Sequence, residues 1–279
     1  MARRYLVGVD GSAPSLAALD WALRRARQSS APLVLVHVTE GADAPHEGPA
    51  RSAEAGRALL DGELERVRAL GVEVSATQPE GSLAWALGDL AEPDDVVVVG
   101  THKTGYLHGR VLGSRSVQIA LAVRASVVAV PEVDLRFRRG IVAGVDRLET
   151  AGEIGRAAAE EAQARGEELT LLEAVPNSAV RRDELPIARA AQEAARAAPG
   201  LVIRSRVSTR PPAEALLDAA RDKALLVLGP GSLDATRSPI GSVLHDVLLN
   251  VTAPVLVVRP SGALVAAPAG EGAASWRAS

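Results

Sequence analysis

Short apolar runs rich in valine alternate along the chain with segments whose apolar residues recur every three or four positions. Residues 5–9, 33–38, 72–76, 96–99 and 127–130 are runs of the first kind. Their length and lack of polar alternation predict strands of a parallel sheet buried on both faces. Between them, Leu16, Leu19, Leu23 and Ala26 mark one helical face. Leu60, Leu64 and Val67 mark a second, which Gly71 should terminate. Residues 83–91 and 114–124 predict two more helices.

The pattern then starts again. Strand-like runs fall near 140–145, 168–174, 201–207, 224–228 and 254–259. Gly166 and Pro199-Gly200 close the first two intervening helices, and Pro211-Pro212 opens the third. The residues themselves also repeat. Leu6-Val7-Gly8-Val9-Asp10 returns as Val142-Ala143-Gly144-Val145-Asp146, an offset of 136. Val96–Gly100 returns as Leu225–Gly229, Leu112-Gly113-Ser114 as Ile240-Gly241-Ser242, and Ala125–Val130 as Ala253–Val258, at offsets of 128 to 129. A shortened loop in the second copy accounts for the change. Alternating β and α elements predict an α/β fold: two tandem doubly wound, five-stranded parallel-sheet domains of Rossmann-like type. The domains are expected at 1–134 and 138–260, with a disordered tail at 261–279. The last strand of each half would lie at a sheet edge, so residues 127–130 and 255–258 should pair, within one chain or across a homodimer.

Composition narrows the function classes. The 279 residues carry a net charge of −3, and lysine occurs only at Lys103 and Lys223. The arginine excess reads as composition bias, and neither half is basic enough for a nucleic-acid partner. There is no cysteine, hence no disulfide or thiolate site. No apolar run reaches a membrane-spanning length, and the first residues hold no signal-peptide core. A cytoplasmic protein is expected, with no membrane partner.

In a doubly wound sheet, ligands bind beyond the carboxyl ends of the strands where the strand order reverses. The candidates are Asp10, Gly11 and Ser12 after the first strand and Gly100 and Lys103 after the fourth. Gly113, Ser114, Arg115 and Ser116 open the following helix. Glycines let backbone approach a phosphate, helix N–H groups favour an anion, and the serines add hydroxyl donors. His37, His46, His102, His108 and His245 show no metal-ligand spacing and read as solvated loop residues. Neither a Gly-x-Ser-x-Gly elbow nor a Gly-x4-Gly-Lys-Ser/Thr loop is present. Asp10 has no evident partner to make it a general base, so no catalytic residue is assigned.

Taken together these blocks resemble the universal stress protein family, over nearly the whole chain and twice. Its ATP-binding members carry Gly-x2-Gly-x9-Gly-Ser/Thr after strand four, matched here by Gly100 and Gly113-Ser114. Val7–Ser12 is similar to the family's first strand and loop, and residues 33–38 to its second strand. The resemblance implies a stress-adaptation role and an adenine nucleotide, ATP with or without Mg2+, bound in the first half. Hydrolysis would be slow at most. Asp10 would lie beside the nucleotide, Val38 backbone would read adenine, and Gly100, Gly113 and Ser114 would cradle ribose and phosphate. An unidentified protein partner is expected to respond to the nucleotide. Lys103 departs from the motif's second glycine. It either crowds the ligand or offsets phosphate charge.

The second copy departs further. Asp146 persists, but Arg147-Leu148-Glu149 replaces the small loop, and Ser232 stands at the motif's second glycine in Gly229-Pro230-Gly231-Ser232. This copy reads as structural. The rival reading of the whole chain is a ligand-free interaction scaffold with both pockets decayed.

Overall fold

The computed structural model describes residues 3–39, 53–101, 115–175, 186–231 and 241–259. Strand and helix alternate throughout. The first half holds β1 (Tyr5–Gly8), α1 (Ala13–Ser29), β2 (Leu33–Val36), α2 (Ala53–Ala69), β3 (Val74–Thr77), α3 (Leu83–Leu90), β4 (Val96–Thr101), α4 (Arg115–Ala122) and β5 (Ser126–Pro131). The second holds β6 (Ile141–Val145), α5 (Leu148–Arg165), β7 (Leu169–Ala174), α6 (Pro186–Ala197), β8 (Ile203–Ser208), α7 (Pro212–Ala220), β9 (Leu225–Leu228), α8 (Ser242–Asn250) and β10 (Val255–Val257).

Local chemistry sets the helix ends. Ser12 caps α1 by accepting the Ser15 N–H, and Pro14 sits in the first turn, where its missing donor costs nothing. α1 and α5 close on the left-handed residues Ser30 and Gly166, which are counterparts at the repeat offset.

All ten strands join one sheet in the order β3-β2-β1-β4-β5-β10-β9-β6-β7-β8. Pairing is parallel within each half, and the order reverses between β1 and β4 and between β6 and β9. β5 and β10 pair antiparallel, Val127 with Val257, Val128 with Leu256 and Ala129 with Val255. The expected approach of the two last strands is therefore met inside one chain, and each covers the other's edge.

Side chains alternate across the strands. Tyr5, Val7, Leu33, Leu35, Val96, Val98 and Val128 pack with α1, α2, α5 and α6 on one face. Leu6, Val36, Val97, Val99 and Val127 pack with α3 and α4 on the other, which α7 and α8 continue in the second half. Not every strand is buried on both faces, as the apolar runs had predicted. β3 and β8 are the outer strands, and Arg204, Ser205, Arg206 and Val207 are exposed. An outermost strand has a neighbour on one side only, and charged residues such as Arg204, paired with Glu168, protect it from further pairing. The tail at 261–279 lies outside the described residues.

Candidate functional site

The loop after β1 is tied by its own side chains. Asp10 Oδ1 accepts the Ser12 N–H at 2.9 Å, and the Asp10 N–H donates to Ser15 Oγ at 3.3 Å. Ser15 Oγ in turn donates to the Ser12 carbonyl at 2.9 Å. Gly11 takes the positive φ of 78° that lets the chain turn into α1. The exposed Asp10 and the half-buried Ser12 are thus held at the carboxyl end of the sheet, beside the reversal between β1 and β4.

Gly100, near the end of β4, faces this loop. A Cβ there would lie 2.3 Å from the Pro14 carbonyl carbon and 2.6 Å from Ser15 N. Its missing side chain is therefore used by the first turn of α1, which approaches β4 closely. Sequence reading took this glycine as room for phosphate. The structure puts protein backbone against it, and that approach is what brings the Asp10–Ser12 loop beside the end of β4.

Val38 follows β2 and is half-buried against the α3 side, with Leu83 and Ala84 in the same cluster. The N–H groups of His37 and Thr39 bond to Thr77 and Pro79 carbonyls, toward β3. Along an extended chain the next residue's groups point the other way, so those of Val38 face the β1 side, beyond the end of β1. Among the described residues neither the N–H nor the C=O of Val38 has a hydrogen-bond partner. A regular parallel ladder would have given the Val38 N–H to the Val9 carbonyl. That carbonyl is instead bonded to His37 Nδ1 at 2.7 Å. A carbonyl only accepts, so Nδ1 carries a proton in this contact.

His37 corrects the expectation that the histidines are solvated loop residues. It is 2 % exposed, and its Nε2 is buried with no partner among the described residues. A Cβ on Gly56 of α2 would come within 2.5 Å of that nitrogen, so α2 lies directly on the ring. His245 is in α8, paired loosely with Asp246 at 3.6 Å, and is not a loop residue either. His46, His102 and His108 lie outside the described residues.

Of the predicted site residues, Asp10, Gly11, Ser12, Val38 and Gly100 come together at this end of the sheet. Ser116 is buried in the first turn of α4. Lys103, Gly113, Ser114 and the Arg115 side chain lie outside the described residues. Among the described residues no three histidines or acids are grouped to hold a metal ion, and no helix is long and apolar enough to cross a membrane.

The second half is built differently at the matching place. Asp146 Oδ2 lies 3.6 Å from Arg147 Nε, and Arg147 offers no side-chain cap to α5. Gly231 lies against Gly241, where a Cβ would be 2.9 Å from the Gly241 Cα. The counterpart of His37 is Glu173, buried, with Oε2 accepting the Ile187 N–H of α6 at 3.4 Å.

Comparison with known proteins agrees with this architecture. Residues 1–131 and 138–259 each match the model of the universal stress protein family. The chain is 29% identical over 285 residues to a universal stress protein of Mycolicibacterium smegmatis, covering 91% of this chain and 96% of that one. It is 27% identical over 298 residues to one of Mycobacterium tuberculosis, covering 91% and 94%. A solved universal stress protein of Archaeoglobus fulgidus has a similar fold at 15% identity, with a TM-score of 0.72 over 93% of this chain and 97% of that one.

Proposed function

The chain belongs to the universal stress protein family, with two family domains in tandem, and on that premise we propose that its first half binds one adenine nucleotide, ATP in the first instance. The observation that carries the reading is the open backbone edge of Val38 beside the Asp10–Ser12 loop. An N–H and a C=O presented side by side match the N1 acceptor and N6 donor of adenine. Guanine, with O6 and N1–H, presents the opposite order. Asp10 would accept from a ribose hydroxyl, and the N-terminal turns of α1 and α4 would favour phosphate. Mg2+, where present, would come as a companion of the phosphates. The reading is of binding and not of turnover. Stress adaptation would follow from nucleotide-dependent contacts with a protein partner.

For the second half the scaffold reading is favoured. Arg147 pairs with the aspartate there, Gly231 and Gly241 bring the loop ends together, and a buried carboxylate replaces His37. The test uses protein purified without added ligand. Denaturing it should release adenine nucleotide, and titration calorimetry on the emptied protein should give one site per chain. No released nucleotide and no heat on titration would leave the whole chain a scaffold. Two sites per chain would show that the second half binds as well.

A further inference from the structure

Residues at one and the same position of the two repeats meet each other. α1 and α5 correspond at an offset of 136, so Arg25 and Glu161 are counterparts, as are Trp21 and Ala157. Arg25 Nη2 lies 2.7 Å from Glu161 Oε1, and the two side chains are only 7% and 10% exposed. A residue touches its own counterpart only at the axis that relates the halves. The sheet places the axis consistently, because Val128 pairs with its counterpart Leu256. Trp21 and Ala157 line one small cavity beside it, of about 40 Å³. Arg165 extends the cluster, 3.4 Å from Glu161 Oε2 and over the Trp21 ring at 5.7 Å.

At such an axis, a half that paired with its own kind would bring each of these residues against itself. Two first halves would oppose Arg25 to Arg25 and Trp21 to Trp21. Two second halves would oppose Glu161 to Glu161 and leave a void between two Ala157. Two Arg25 would be buried with no carboxylate between them, and two Glu161 would face each other with only their own Arg165 for a partner; both arrangements are unfavourable, and so is either steric mismatch. The backbone ladder supplies no such charge discrimination, since Val127–Ala129 and Val255–Val257 are both wholly apolar. The need for it is greatest during synthesis, when the first half is complete and its β5 edge is uncovered before the second half exists.

We propose that Arg25 facing Glu161, with Trp21 facing Ala157, is a recognition code by which the α1–β5 face of the first half accepts a second half and rejects a copy of itself. The face is closed to its own kind while it is still open to its partner.

Two measurements test this. The first is a cycle in the intact chain of Arg25→Met, Glu161→Met and both together. Each single change should lower the folding equilibrium constant more than the double change does, with a coupling of tenfold or more. The second reads partner choice. A protease site placed at the linker, where Phe137 is 85% exposed, is cut after folding. The nicked protein is then allowed to exchange halves on dilution, and its pairs are weighed by native mass spectrometry. Wild type and the charge-exchanged R25E/E161R protein should hold only unlike pairs, whereas R25M/E161M should also yield like pairs. Like pairs in nicked wild type, exclusively unlike pairs in nicked R25M/E161M, or additive effects in the cycle would each overturn the proposal.

Discussion

Replacing Gly100 by alanine should unsettle the fold and the candidate site together. The new Cβ would lie 2.3 Å from the Pro14 carbonyl carbon, 2.4 Å from its oxygen and 2.6 Å from Ser15 N, where ordinary contact begins at 3.4 Å. All three atoms are backbone, so no flexible side-chain end can give way. The first turn of α1 must move by about 1 Å, while Leu19, Ala22 and Ala26 further along the helix stay fully packed in the core. Overpacking of this kind costs roughly 1–3 kcal/mol. Weakening the Ser12 cap adds about 1 kcal/mol. At about 2–4 °C per kcal/mol for a chain of this size, Tm should fall by roughly 5–15 °C. Gly62→Ala is the internal control. Gly62 lies within α2 with nothing within 4 Å of the new Cβ, so the change should raise stability by about 0.5–1 kcal/mol. Thermal denaturation by circular dichroism reads both, and calorimetry should show weaker nucleotide binding by the Gly100 variant as the Asp10–Ser12 loop shifts. A Gly100→Ala protein that melts with or above the Gly62→Ala protein would refute the steric argument.

Gly155→Ala should cost about 1–3 kcal/mol in chemical denaturation, because its Cβ would meet the Ala190 carbonyl oxygen at 2.2 Å and push α5 off α6. His37→Leu keeps a buried apolar volume but frees the Val9 carbonyl to take the Val38 N–H. Nucleotide affinity should fall about tenfold in calorimetry, the equivalent of about 1.4 kcal/mol, with the circular dichroism spectrum unchanged. Asp10→Ala should weaken nucleotide binding, and Asp146→Ala should leave both affinity and the stoichiometry of one per chain as they are.

Much of the fold was legible because its signals are repeated. The apolar runs predicted ten strands, and the ordered return of the same blocks in the second copy predicted two domains of the same kind. What the runs could not convey is position in the sheet. The run near 201–207 looks apolar at its start, yet Arg204, Ser205 and Arg206 within β8 are the mark of an outer strand. His37 was missed for a different reason. Read alone it is one of five scattered histidines, but it continues the alternation of Leu33 and Leu35, which places it on the buried α1–α2 face. Periodicity could have found it, whereas its bond to the Val9 carbonyl could not have been foreseen. Gly100 shows the same limit. Sequence reads that glycine as room for a phosphate, and the structure brings the Pro14 backbone against it.

A single pair of counterparts accounts for part of the divergence between the halves. His37 carries a proton on Nδ1 and so can hold the last carbonyl of the β1 segment, Val9, away from the β2 ladder. Glu173, in the same place, has only acceptor oxygens when ionised and cannot bond the Val145 carbonyl in that way. It turns instead to an N–H in the first turn of α6, where a carboxylate is favoured by the unpaired donors of the helix end. The ladders differ accordingly. β1 and β2 stay in register only to Gly8 and Val36, whereas β6 and β7 continue one residue further, to Val145 and Glu173. The edge at Val38, open among the described residues, and the longer pairing at Glu173 are therefore two outcomes of one choice between a donor and an acceptor. A second half given a histidine at position 173 would regain the donor. It would still lack the small loop that Asp10, Gly11 and Ser12 provide in the first half, because Arg147 and Leu148 occupy that turn.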